Sequence, residues 1–251
     1  NRVKREDNMK GYILKIEFND LESKVWRKVI IPDGCTFRRL HDTIQCVTNF
    51  KSILGTDFHL YEFNLEEENL RITNDEFSYD QHKDFVKNKK AFIRSLMKSK
   101  VEHADFERRR IERLGIEVRK PTSLKIDKYI EKYKELDYTY DFGDGWNIII
   151  RLEEIVQDYY FGYPTLLDGQ GDAPPEDVGG VEGFKDFLDI YNDPENKYYT
   201  QVREWAKKQY YHEYDPEFIN RSLKAIKWKK TDWDKIEHSN FEIIENKYRK
   251  N

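Results

Sequence analysis

The sequence predicts an α+β fold: a mixed sheet with packed helices, β-grasp-like in its N-terminal part, with a helical insert and a helical C-terminal part. Three observations predict it. Apolar residues alternate with polar ones at Tyr12, Leu14, Ile16 and Phe18, the period of a half-buried strand. They recur at three- and four-residue spacing at Phe37, Leu40, Ile44 and Val47, the period of an amphipathic helix. The aromatic stretch Tyr138 to Leu152, YTYDFGDGWNIIIRL, sets Gly143-Asp144-Gly145 between two alternating runs and reads as a hairpin.

In chain order, the first strand is followed by the polar turn Asn19 to Lys24 and a second strand carrying Val25, Val29 and Ile31. After Pro32-Asp33-Gly34, Thr36 is placed to cap the Phe37 helix. His59 to Leu65, HLYEFNL, reads as the next strand, giving a strand-strand-helix-strand start. From 82 to 114 alternation disappears and helical spacing takes over at Phe85, Phe92, Leu96, Phe106, Arg110 and Leu114, with Gly115 as the stop. Ile126, Tyr129, Ile130 and Tyr133 mark a further helix, with Thr122 or Ser123 as its cap. In the hairpin, Tyr138, Tyr140 and Phe142 share one parity and Trp146, Ile148, Ile150 and Leu152 another, so Asp141 is expected to point away from the aromatic face. Phe184, Phe187, Leu188 and Tyr191 define one helix, and Val202, Trp205 and Ala206 begin another. The expected organisation is one α+β domain over 9–226, interrupted by a basic helical insert at about 82–121, with 227–251 a charged tail or docked helix.

At 251 residues the chain can bury a real core, and 17 Tyr, 15 Phe and 5 Trp offset a hydrophobic fraction of only 38%. Apolar runs stay far short of the roughly 20 residues that a membrane helix needs. The first eight residues, NRVKREDN, are charged rather than signal-like. Cys35 and Cys46 are too few for a disulfide framework or a cysteine metal site. A protein of the reducing cytoplasm, with no membrane contact, is expected. The net charge of −4 excludes a uniformly basic nucleic-acid binder, but the charge is segregated. Residues 82–125 hold 14 Lys and Arg against 6 Asp and Glu, a net of +8 that leaves the remainder at −12.

Asp141-Phe142-Gly143 spells the magnesium triplet of protein kinases, but no phosphate-covering glycine loop and no catalytic His-Arg-Asp precede it, which excludes that class. Asp141 and Asp144 are spaced to share a divalent cation, or else to bond their own turn. The stretch Tyr163 to Gly183, YPTLLDGQGDAPPEDVGGVEG, reads as a long loop whose Asp168, Asp172, Glu176 and Asp177 complete an acidic pocket if it folds back over the hairpin. Asp193-Pro194-Glu195 and Asp215-Pro216-Glu217 read as helix starts. The six histidines show no HxH or HExxH spacing; His41 reads as a packing or hydrogen-bonding residue and His59 is the better functional candidate. On the insert, Lys87, Lys89, Lys90, Arg94, Lys98 and Lys100 and then Arg108, Arg109, Arg110 and Arg113 suit phosphates or an acidic protein, against the plainer reading of a solvated face laced with Glu102, Glu107 and Glu112.

Taken together, VWRKVIIPDGCTFRRLHDTIQ, HLYEF, YTYDFGDGW, the PPEDVGGVEGFKDFL run and the DPE tripeptides resemble the plasmid pRiA4b ORF-3-like family, outside residues 82–121 and the tail. The resemblance implies a mobile-element setting and carries no established activity. Family members commonly place cysteines where this chain has Leu166, Ala173 and Val178, and often histidine at Asn147, so the resemblance sets a thiolate-metal mechanism aside here.

The leading expectation is a non-enzymatic binding or accessory protein of mobile-element origin, without a cofactor. Its basic insert, through Lys89, Lys90, Arg94, Arg108, Arg109, Arg110 and Arg113, contacts nucleic acid or an acidic protein partner. The alternative is a Mg- or Mn-dependent hydrolase acting on phosphodiesters, with Asp141, Asp144, Asp168 and Glu176 as ligands and Asp177 or His59 as general base.

Overall fold

The computed structural model describes residues 9–50, 56–98, 101–231 and 247–248. Strands are β1 (Gly11–Phe18), β2 (Trp26–Pro32), β3 (Tyr61–Leu65), β4 (Leu70–Thr73), β5 (Glu117–Arg119), β6 (Glu135–Tyr140), β7 (Trp146–Val156) and β8 (Thr165–Gln170). Helices are α1 (Phe37–Val47), α2 (Glu76–Lys98), α3 (Val101–Gly115), α4 (Asp127–Tyr133), α5 (Gly180–Tyr191), α6 (Tyr199–Lys208) and α7 (Pro216–Leu223). All eight strands join one sheet in the order β5-β4-β3-β6-β7-β1-β2-β8, antiparallel except for the β4–β5 pair, so the fold is α+β with a mixed sheet. No helix among the described residues is long and apolar enough to cross a membrane.

Alternation fixes the inner face. Tyr12, Leu14 and Ile16 of β1, Tyr61 and Phe63 of β3, Tyr138 and Tyr140 of β6 and Trp146, Ile148 and Ile150 of β7 are all buried against Phe37, Leu40, Ile44 and Val47 of α1. Phe184 and Phe187 of α5 and Ile219 and Leu223 of α7 extend that core. Aromatic edges and faces fill it, with Phe37 at 5.0 Å and Tyr138 at 4.8 Å from Phe63, centroid to centroid. Each such ring removes well over 100 Å² of surface from water, which is how a chain this polar builds a core. Thr36 caps α1, its hydroxyl accepting from the Arg39 N–H at 3.2 Å. Arg27, 3% exposed, ties β2 to β8 and α1 by donating to the carbonyls of Val47, Trp26, Gln170 and Gly171. Burial lowers its pKa to about 10.

Several elements differ from the sequence expectation, each for a local reason. β3 begins at Tyr61, leaving His59 in the preceding loop. The stretch expected to be one long loop contains β8, because Leu166 packs into the main core and Leu167 into a second cluster with Ile13, Ile30 and Tyr159. A strand buried on both faces shows no alternation. The insert helices start at Glu76, and α2 is kinked at Asn88. Lys100 lies outside the described residues. Neither Thr122 nor Ser123 caps α4: Ile126 precedes it, and the Ser123 hydroxyl donates to the Lys120 carbonyl. Asp215 caps α7 by accepting from the N–H groups of Glu217 and Phe218. Asp193 instead closes a turn onto the Glu195 N–H, and the next helix waits until Tyr199. Of the expected tail, residues 232–246 and 249–251 lie outside the described residues. Trp228 docks on the body, its backbone N–H donating to Gly162 and its indole to Asp33.

Candidate functional site

One end of the β3–β6–β7 region gathers charge. The loop before β3 is held by Asn74, whose amide donates to the Asp57 carboxylate at 3.0 Å and the His59 carbonyl at 3.1 Å, while its oxygen accepts from the Tyr61 N–H. This anchoring turns His59 toward the end of β6.

There the strand pattern breaks. Asp141 adopts a left-handed backbone (φ 51), donates its N–H to the Leu60 carbonyl and accepts from the Gly143 N–H on its own Oδ1 at 2.9 Å. Alternation therefore stops at Tyr140. Phe142, expected on the aromatic face, is 44% exposed, whereas Asp141, expected to point away, is 8% exposed and faces His59.

The loop after β8 folds back onto this turn. Asp144 Oδ2 accepts from the Gly179 N–H at 3.2 Å. A Cβ on Gly180 (φ 70) would fall 2.8 Å from the Asp144 carbonyl oxygen, so only glycine lets the two segments meet. Docking delivers Glu176, 2% exposed, to the Tyr140 hydroxyl, which donates to Oε1 at 2.7 Å. Asp177, also left-handed (φ 55), stands beside it at the solvent side.

The result is an imidazole among three carboxylates. His59 Nδ1 lies 3.6 Å from Asp141 Oδ1, and Nε2 lies 3.5 Å from both Glu176 Oε2 and Asp177 Oδ1. One ligand atom each from His59, Asp141 and Asp177 falls within 4.8 Å of the others. The ion pairs that Asp141 and Asp177 make among the described residues run to His59 alone. Asp141 and Asp177 thus share one imidazole, an arrangement that a divalent cation would suit. A nitrogen-plus-oxygen donor set suits Mn²⁺ or Zn²⁺ better than Mg²⁺, which favours oxygen and water.

Of the acids singled out in the sequence, Asp141, Glu176 and Asp177 converge on His59. Asp144 sits at the rim with its carboxylate engaged by Gly179. Asp168 does not join them: it lies on β8, separated from β6 by β7, β1 and β2, and accepts from its neighbour Gly169. Asp172 accepts from the Tyr214 N–H. Sequence reasoning missed Asn74 and Tyr140, the residues that orient the histidine loop and Glu176; neither belongs to a motif.

A second polar system lies behind the first. His41, wholly buried, contacts the Tyr138 hydroxyl through Nδ1 at 2.8 Å and Asp57 through Nε2 at 3.2 Å, and Tyr61 stacks on it at 3.7 Å. Burial lowers the His41 pKa. Burial works to raise Asp57, but hydrogen bonding and charge from His41, with Arg38 at 2.7 Å, bring it down to about 2. Arg38, Asp57 and Asn74 line an open pocket of about 360 Å³ together with Glu76, Tyr79 and Lys120. The insert thus rises beside the residues that hold His59. On it Lys89, Lys90, Arg94, Arg108, Arg109 and Arg113 are exposed, and Arg110 lies over the Phe92 ring and 3.8 Å from Glu107.

The model of the plasmid pRiA4b ORF-3-like protein family matches residues 10–223. An uncharacterised protein, y4hQ, of Sinorhizobium fredii (strain NBRC 101917 / NGR234) is 26% identical over 219 residues, which span 86% of this chain and 92% of that protein. The crystal structure of MM3350, a protein of unknown function from Methanosarcina mazei Go1, aligns with a TM-score of 0.56 at 26% identity, covering 83% of this chain and 97% of that one.

Proposed function

Because the chain belongs to the plasmid pRiA4b ORF-3-like family, whose relatives described above carry no assigned activity, its function has to be argued from its own site, and we propose that it is a divalent-metal-dependent hydrolase. The observation that carries this reading is the convergence of His59, Asp141 and Asp177 within 4.8 Å beside buried Glu176. In it, His59 Nε2, Asp177 and Glu176 would hold the metal, and Asp141, on the Nδ1 side, would orient the imidazole, as an outer carboxylate commonly does for a metal-bound histidine. When bound, the ion supplies a Lewis acid that lowers the pKa of its water. Phosphodiesters are the substrate class that joins such a site to a neighbouring basic insert.

Titration calorimetry with Mn²⁺, Zn²⁺ and Mg²⁺, together with hydrolysis of bis(4-nitrophenyl) phosphate, tests it. Wild type should bind Mn²⁺ or Zn²⁺ in preference to Mg²⁺, and His59→Ala should lose both binding and turnover. Absence of heat with all three ions at about millimolar concentration, well above the affinity a specific carboxylate site provides, would remove the reading.

The exposure of the basic residues favours a second reading, that the insert is a contact surface for nucleic acid or an acidic partner in an accessory role of mobile-element origin. The two readings are compatible, since the basic residues of the insert are not among the residues of the His59 cluster.

A further inference from the structure

The insert is more than basic. On α2, Val86, Ile93 and Met97 are 60%, 39% and 82% exposed, and beyond the Asn88 kink Ile93 and Met97, four residues apart, share one stripe. Phe106 of α3 is 68% exposed, while Phe85 packs on Phe92 at 5.6 Å on a neighbouring side of α2. Lys90 and Arg94 flank the stripe. A surface evolved only to follow phosphates has no use for a row of large apolar side chains; a protein interface does.

The same chain carries a matching surface. On the outer face of the sheet, exposed Glu135 and Asp137 of β6 lie beside Glu66 and Glu67 at the end of β3, with half-buried Ile149 of β7 in register with Asp137. The crowding is felt: burial, then the charges of Glu135, Glu66 and Glu67, raise the Asp137 carboxyl above its ordinary value. Residues 82–125, of net +8, and a remainder of −12 are complementary between copies.

We propose that two copies of this chain associate by laying the apolar and basic face of each insert against the Glu66, Glu67 and Asp137 patch of the other. The inference rests on the insert being a contact surface and names its acidic partner as a second copy. Reciprocal contacts close the assembly at two, as a two-fold axis requires.

Sedimentation velocity on the full chain decides it. At about 50 mM salt and low-micromolar protein the wild type should sediment as a dimer, with the apparent Kd weakening at least tenfold by about 500 mM salt, where screening reaches only about 4 Å. Replacing Arg108, Arg109 and Arg110 together with Glu should give monomers, as should Glu66→Lys with Glu67→Lys. Mixing the two variants should restore dimers, because every reversed surface then meets its opposite; a misfolded variant gives no such rescue. A monomeric wild type at about 100 µM and low salt, or variants that remain dimeric, overturns the proposal. If the monomer instead binds a short DNA duplex with a salt slope that the arginine changes reduce, the insert remains a contact surface and only the second copy is rejected.

Discussion

Tyr140→Phe separates the two things that the site asks of Glu176. The exchange removes one oxygen and leaves the ring, so the tilted contact of Tyr140 with Phe50, at 4.4 Å between centroids, survives and little cavity is created. What is lost is a 2.7 Å hydrogen bond from a fully buried hydroxyl to a carboxylate that is 2% exposed. A bond to a charged acceptor contributes about 1.5–3 kcal/mol, and in a chain of this size each kcal/mol moves Tm by about 2–4 °C, so a fall of about 3–12 °C is expected. If Glu176 is a metal ligand, the same hydroxyl orients it, and loss of such an outer partner weakens metal affinity about 10–100-fold. The assay is paired: urea denaturation of metal-free protein and calorimetric titration with Mn²⁺, on wild type and variant. Unchanged stability would refute the hydrogen bond. A stability loss with unchanged Mn²⁺ affinity would refute the place of Glu176 in the metal site and leave the rest of the cluster to explain any binding.

Three further outcomes follow from the geometry. Asp215→Ala removes the acceptor for two N–H groups at the start of α7 and should cost about 1 kcal/mol, read from the shift in denaturation midpoint. Gly180→Ala drives a Cβ toward the Asp144 carbonyl in a left-handed backbone; a loss of about 1–2 kcal/mol is expected, with faster proteolysis of the 171–179 loop as the local signature. Burial lowers the His41 pKa, so near its unfolded value of about 6.5 the unfolded chain binds a proton more readily than the folded chain does. Stability is therefore held above that pH and falls as the pH drops from about 7 toward 5; denaturation at several pH values should show that slope, and His41→Gln should flatten it.

What was legible in the sequence was whatever one periodicity governs. β1, β2, α1 and the two hairpin strands each face a single core, and their apolar spacing shows it. β8 was not legible because Leu166 and Leu167 serve two different clusters. The acids of the site stood out by type, but their convergence was hidden: it depends on the Gly180 approach to Asp144, a contact between residues 36 positions apart. The parity rule placed Asp141 on the wrong side because it assumes an unbroken strand, and the backbone leaves the extended region at that residue. Charge segregation announced the insert, whereas the exposure of Met97 and Phe106 depends on how α2 and α3 pack together.

Left-handed backbone at a non-glycine residue needs a local cause. Non-glycine residues with positive φ are Asn69, Lys134, Asp141, Asp177 and Tyr210 among the described residues. Asn69 and Lys134 end helical segments, and Tyr210 lies two residues past α6, positions where the geometry is the ordinary cost of stopping a helix. Asp141 and Asp177 stop no helix, and both belong to the His59 cluster. A non-glycine residue pays about 1–2 kcal/mol for this conformation, and Asp141 recovers part of it through the Gly143 N–H. If that aspartate is retained for its backbone fit alone, Asp141→Gly should be harmless to every property. If it is retained for its carboxylate, Asp141→Gly should hold stability within about 1 kcal/mol of wild type, because glycine adopts the turn without strain, yet weaken Mn²⁺ binding at least tenfold. Asp141→Ala should lose both, since it keeps the strain and drops the carboxylate. Denaturation and Mn²⁺ titration of the pair distinguish the cases, and full metal affinity in Asp141→Gly would take Asp141 out of the site.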